Sequence, residues 1–177
     1  LRRYLTFAEF KSQLAPHFGL GLEGYATWTS PIRKYSDMVN HRLIKAVLTQ
    51  QACEKPQDEV LARLQEARRQ NRLVERDIAD WLYCRYLADK VAENAEFDAE
   101  VQDVMRGGLR VQLLENGASM FVPASTLHPN KDEMQVNADE LALYIQGERR
   151  YKIGDLVKVK LTEVREETRS IIGQLII

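Results

Sequence analysis

The spacing of apolar residues changes at Glu96. Before it they recur every three or four positions, and after it they alternate with polar residues. A helical period does not suit a strand, so the chain must be helical first and sheet-like second, an α+β arrangement of two domains, 1–94 and 95–177. Three alternating runs come first: F-D-A-E-V-Q-D-V-M, L-R-V-Q-L-L-E and A-S-M-F-V-P, with Asn116-Gly117 as a hairpin turn between the second and third. A looser stretch at 124–151 precedes two more, K-I-G-D-L-V-K-V-K-L-T-E-V-R and R-S-I-I-G-Q-L, joined at Glu166-Glu167-Thr168. Five such strands predict a small closed barrel.

In the helical part the most informative stretch is 25–45, Y-A-T-W-T-S-P-I-R-K-Y-S-D-M-V-N-H-R-L-I-K. Ser30 before Pro31 reads as a helix start, with the serine as N-cap and the proline at the first helical position. The spacing predicts a helix over 31–48 whose buried stripe is Ile32, Tyr35, Val39, Leu43, Ala46 and Val47. Arg33 and Lys34 then fall in its first turn, where open N–H groups already favour an anion, and Thr27, Thr29 and Ser30 crowd the approach. That outlines a phosphate site. The plainer reading is an Arg33–Asp37 surface ion pair on a solvated face, and residue chemistry alone leaves both open.

Around this helix, 1–20 reads as a short helix closed by Ala15-Pro16-His17, and 18–28 as one or two strands bending at Glu23-Gly24. His17 is either functional or a structural hydrogen-bonding residue. A second helix is predicted over 57–94, with Leu61, Leu64, Ala67, Asn71, Val74, Ile78, Trp81, Arg85, Ala88 and Val91 at steps of three or four. Unbroken, it would exceed about 50 Å, so a break or bend is expected. Asn71 and Arg85 interrupt a coiled-coil seam, and Trp81, Tyr83 and Tyr86 favour packing against a domain instead.

Charge is distributed unevenly. Residues 1–50 carry +4, residues 51–95 carry −1 and residues 96–177 carry −4, so the positive excess coincides with the phosphate-like site, as a polyanion-binding face requires. Cys53 and Cys84 stand apart without metal-ligand spacing, which supports neither a disulfide framework nor a zinc site. No apolar run is long enough for a transmembrane helix and the stretch L-R-R-Y-L-T-F at the start of the sequence has no signal-peptide h-region, so a reducing, cytoplasmic setting and no membrane partner are expected. The first residue is not Met, which suggests a fragment.

The stretch Y-A-T-W-T-S-P-I-R-K-Y-S-D-M-V-N-H-R-L resembles, without gaps, the signature of the ribonuclease II / ribonuclease R (RNB) family of processive 3′-to-5′ exoribonucleases, Tyr-x-x-Phe-Thr-Ser-Pro-Ile-Arg-Arg-Tyr-x-Asp-Leu-x-x-His-Arg. Trp28 and Lys34 replace the commoner Phe and Arg, and Lys lacks the bidentate fork of Arg. The resemblance implies that Arg33 holds the phosphate beside the scissile bond, a catalytic role, and that Ser30, Lys34 and Thr29 contact neighbouring RNA. It also implies that Glu75 looks into the RNA cavity, against the plainer reading of a solvated acid. Family members use magnesium held by an aspartate cluster that precedes the signature. Asp37, Asp77 and Asp80 read as ordinary exposed helical acids, so Mg2+ is implied without ligands in this chain, and the fragment alone should be inactive.

The pattern G-x-x-M-F-V-P-A-S-x-L followed by G-D-L-V-K-V-K-L resembles the OB-fold RNA-binding domain of the ribosomal-protein S-one type that ends this family's chains. Such barrels stack bases on aromatics over strands two and three. Phe121 is the candidate platform or else a core residue, Arg106, Arg110, Lys158 and Lys160 are candidate backbone contacts, and His128 is a loop residue. The resemblance thus implies the helical C-terminal part of an RNB catalytic domain followed by a five-stranded OB barrel. It also implies a monomeric, processive hydrolase that releases 5′-nucleoside monophosphates from single-stranded RNA. Lacking a basic tail after the barrel, the chain is most like ribonuclease II. The alternative is a stand-alone, non-catalytic RNA-binding module.

Overall fold

A computed structural model describes residues 8–176 and divides the chain into two compact units, Leu1–Val74 and Glu75–Ile177. In the first unit, helix α1 spans Tyr35–Leu48 and helix α2 begins at Asp58. Helix α2 runs unbroken to Ala88, across the division, and tightens into a 3-10 turn at Asp89–Val91. Its 31 residues correspond to about 46 Å at about 1.5 Å per residue, and within the predicted 57–94 the α-helix gives way only at Asp89. Asp58 and Glu59 occupy its first turn, where the dipole favours them.

The expected helix ending at His17 is absent from residues 8–16, and the rest of it lies outside the described residues. The strands predicted over 18–28 are also absent. A 3-10 turn at Phe18–Leu20 replaces them, closed by His17 N–H donating to Leu22 O at 2.8 Å. The bend falls at Gly21 rather than Glu23-Gly24, because the backbone of Gly21 is left-handed.

Helix α1 starts four residues later than the Ser-Pro signal implies. Ser30 C=O accepts the N–H groups of Arg33 and Lys34 at 3.3 and 2.9 Å, making a separate turn, and Lys34 is the helix N-cap with an extended backbone. The predicted stripe is correspondingly shorter. Val39, Leu43 and Ala46 are half-buried, whereas Tyr35 and Val47 are exposed and Ile32, at the tip of the turn, is fully so. Among residues 8–74 the single fully buried residue is Asp37.

The second unit contains the main core. Strands β1 (Glu96–Met105), β2 (Gly108–Leu113), β3 (Ser119–Pro123), β7 (Leu156–Arg165) and β8 (Ser170–Leu175) close a barrel in the order β1-β2-β3-β8-β7. The seam is a parallel pairing of β3 with β8 at Phe121 and Ile172. Val101, Leu109, Val111, Leu113, Met120, Val122, Val159 and Leu161 point inward and are wholly buried or nearly so. Alternate residues face outward, as a pleated strand with one buried face requires. Gly108 has φ 142°, and a Cβ there would lie 2.0 Å from Val122 O, so the β1–β2 turn accepts no side chain at that point.

The end of α2 joins this core through Cys84 and Leu87, and Tyr83 Oη donates to Asn116 O at 2.9 Å in the β2–β3 turn. The packing face is therefore 83, 84 and 87, and Ile78, Trp81 and Arg85 of the predicted stripe are exposed. The stretch 124–151 is more ordered than its sequence suggests. A four-residue helix α3 (Ala124–Leu127) precedes a three-stranded sheet of β4 (Met134–Asn137), β5 (Ala142–Ile145) and β6 (Glu148–Lys152). Leu143 and Ile145 of this sheet enter the barrel's core cluster.

Candidate nucleic-acid interface

The four signature residues proposed to meet RNA lie on one continuous turn. Thr29, Arg33 and Lys34 are exposed and Ser30 is half-buried. Arg33 makes no ion pair or side-chain hydrogen bond among the described residues, so its guanidinium keeps all five donors for a ligand. The cations stand just before the helix instead of inside its first turn, since the helix begins at Tyr35.

What holds this turn is a set of side chains on α1. Asn40 Nδ2 donates to Thr27 O at 2.8 Å. His41 Nε2 lies 3.0 Å from Trp28 O, and because a carbonyl can only accept, Nε2 carries the proton. The His41 ring stacks on Trp28 at 3.8 Å between centroids with 12° between planes. Asp37 Oδ2 accepts the N–H of Ser30 at 2.9 Å, and Asp37 Oδ1 accepts the Ser36 hydroxyl at 3.2 Å. Positions 37, 40 and 41 share one helix face, so a single face grips three successive points of the incoming segment.

Asp37 is the largest departure from the sequence reading. It is buried rather than exposed, and its partner is the Ser30 backbone rather than Arg33. The Thr27 hydroxyl, then the Ser30 N–H, the Ser36 hydroxyl and the Lys34 charge, hold its carboxyl below the usual range against the opposing effect of burial. The signal available in the sequence was the D-x-x-N-H spacing, which puts three hydrogen-bonding side chains on one face of a helix whose other faces carry the apolar stripe.

Glu75 is exposed on α2 in the second unit. Phe121 is half-buried on the outward face of β3, paired with exposed Arg110 of β2, and its ring tip would lie 3.6 Å from a Cβ on Gly107. A ring in that position offers a face beside a cation and an unobstructed glycine. Arg106 and Arg110 make no ion pair among the described residues, whereas Lys158 sits 3.9 Å from Asp98. His17 stacks edge-on with Tyr25 at 5.4 Å, and its Nδ1 is buried without a hydrogen-bond partner among the described residues. His128 Nδ1 accepts the Asn130 N–H at 3.2 Å within its own loop.

Among the described residues no three His, Cys, Asp or Glu side chains gather to hold a metal ion. Asp77 pairs with Arg169 at 2.7 Å and Asp37 is satisfied by uncharged donors, so these acids do not fit a magnesium site. No helix of the described residues is long and apolar enough to cross a membrane.

Two known domain families match the chain. Residues 1–50 match the RNB domain and residues 90–175 the S1 RNA binding domain. The chain is 86% identical over 176 residues to Exoribonuclease 2 of Haemophilus influenzae (strain 86-028NP), covering 99% of this chain and 27% of that protein. It is 80% identical over 177 residues to Exoribonuclease 2 of Actinobacillus succinogenes, again covering 27% of the relative. The chain thus spans about a quarter of the length of the curated relatives it matches. Mycoplasma genitalium RNase R, solved in complex with ribose methylated single-stranded RNA, superposes with a TM-score of 0.77 over 98% of this chain and 28% of that one. At 23% identity that likeness shows a shared fold. The signature turn thus lies in the stretch that matches the RNB domain and the closed barrel in the stretch that matches the S1 RNA binding domain, and along nearly its whole length the chain is similar to part of proteins named Exoribonuclease 2.

Proposed function

We propose that the protein to which this chain belongs is a processive 3′-to-5′ exoribonuclease acting on single-stranded RNA and releasing 5′-nucleoside monophosphates. The observation that carries the reading is 86% identity along 99% of the chain to a protein named Exoribonuclease 2, with the pinned Arg33 turn inside the matched stretch. In such a hydrolysis a water oxygen bonds to phosphorus, the bond from phosphorus to the preceding O3′ breaks, and that oxygen takes up a proton. Negative charge grows on the non-bridging oxygens as this happens. Arg33, exposed and unpaired among the described residues, donates to those oxygens and stabilises the charge, while Lys34, Ser30 and Thr29 hold adjoining phosphates.

Magnesium belongs to this proposal as an ion held by carboxylates outside this chain. The barrel supplies grip on the strand through Phe121 stacking and through Arg106 and Arg110, and Glu75 faces the RNA path. We place the boundary between catalytic and RNA-binding domains at 94/95, just before β1, and take the protein to be monomeric and cytoplasmic. Exposed Leu14, Phe18, Ile32, Val47 and Leu48 are the surface that the remainder of an RNB domain would cover.

The test uses the full-length protein on 5′-labelled single-stranded RNA with magnesium. Mononucleotide release from the 3′ end, with no products of intermediate length, is expected. Binding without release would favour the second reading, a non-catalytic RNA-binding module.

A further inference from the structure

We infer that Asp37 is a positioning residue for the reaction, acting through the Ser30 backbone to fix where the Arg33 guanidinium stands. The inference rests on the phosphate-positioning reading of Arg33 and adds a residue that the motif alone left as a surface acid.

The Arg33 guanidinium has no protein partner among the described residues, so only its backbone determines where it can reach. That backbone is a tight turn, closed by Ser30 C=O accepting the N–H groups of Arg33 and Lys34. Pro31 fixes one further dihedral inside it. The turn therefore moves as a unit with Ser30, and the Ser30 N–H is bound by Asp37 at 2.9 Å. Of the three anchors that α1 provides, those of Asn40 and His41 hold Thr27 and Trp28, three and two residues farther up the chain. The Asp37 anchor is the one adjoining the turn.

Burial makes this choice costly and therefore informative. A carboxylate removed from water is tolerated only where donors surround it. Here Ser30 N–H and Ser36 Oγ reach its two oxygens, and the Thr27 hydroxyl, 3.5 Å from Ser36 Oγ, completes the set. An apolar residue would pack the same space without that penalty but would leave the Ser30 N–H unbound. In a unit with no other fully buried residue among 8–74, the site secures one backbone N–H rather than a core.

The test is a double-mutant cycle in the full-length enzyme, read as single-turnover rate and RNA dissociation constant at fixed salt. Asp37→Ala should lower the rate about 100-fold, the scale of a displacement near 1 Å at a reacting group. Asp37→Asn is isosteric and keeps one acceptor oxygen for Ser30, so it should lose only about tenfold, and its dissociation constant should change by less than about threefold. In an Arg33→Ala background each Asp37 substitution should cost less than about threefold, because the group it positions is gone. Asn at 37 preserves shape, so the cycle stands on that variant even where Ala fails to fold. Equal losses in both backgrounds, or an unchanged rate in Asp37→Asn with Arg33→Ala strongly impaired, would overturn the inference. A normal rate in Arg33→Ala itself would instead overturn the reading of Arg33.

Discussion

The carboxylate of Asp37 reaches back seven residues to bind the N–H of Ser30 at 2.9 Å, across the turn that presents Arg33. A helix-borne acid in the first turn would ordinarily satisfy its own helix terminus. This one instead fastens the preceding segment, and Asn40 and His41 of the same face fasten Thr27 and Trp28.

The Asp37 carboxyl is held low, chiefly by the Thr27 hydroxyl and the Ser30 N–H, and this sets a pH dependence. Its folded pKa lies below the unfolded value of about 3.9, so its stabilising contribution is complete above that value and is lost as pH falls through the folded one. Protection of the Ser30 amide from hydrogen exchange, corrected for intrinsic rates, should be constant above about pH 5 and drop below about pH 4. In Asp37→Asn that drop should vanish. A drop of equal size in both proteins would assign it to another group.

Phe121 should matter for binding more than for stability. Its ring is half-buried on the outward face, beside Arg110, while Met120 and Val122 fill the barrel. Phe121→Ala is expected to weaken single-stranded RNA binding by about 1–3 kcal/mol, the range for one stacked base. Anisotropy titration at fixed salt measures this, and an unchanged affinity would make the ring a packing residue.

Gly108 and Gly147 should respond differently to alanine. At Gly108 the new methyl would meet Val122 O at 2.0 Å in a backbone with φ 142°, and a loss above about 3 kcal/mol is expected. At Gly147 nothing lies within 4 Å, so only its φ of 80° resists substitution, at about 1 kcal/mol. Denaturant midpoints of the two variants give the comparison.

The barrel was readable because its strands alternate cleanly and Asn116-Gly117 marks a turn. The inserted sheet was not. Its strands have only four or five residues, and the β5–β6 turn is built on Gln146-Gly147, both with positive φ, where Asn-Gly would have announced it. The Ser30-Pro31 signal was legible as a helix start but misplaced it, since the Ser30 N–H is taken by Asp37 and Lys34 interrupts the helical backbone. The stripe along α2 failed in its second half for a related reason. Packing there follows the barrel's surface, which selects Tyr83, Cys84 and Leu87, rather than the apolar spacing within the helix. Arg33 is proposed from its motif, and the residues that hold its turn were hidden because hydrogen bonds to a preceding backbone leave no apolar pattern.

The central claim is that Arg33 stabilises a phosphate in the chemical step. Single-turnover degradation of a 5′-labelled single strand by the full-length protein carrying Arg33→Ala tests it most directly. A rate lower by about 100-fold or more is expected, with the RNA dissociation constant changed only a few-fold, since many other contacts hold the strand. An unchanged single-turnover rate, or a loss confined to binding, would contradict it.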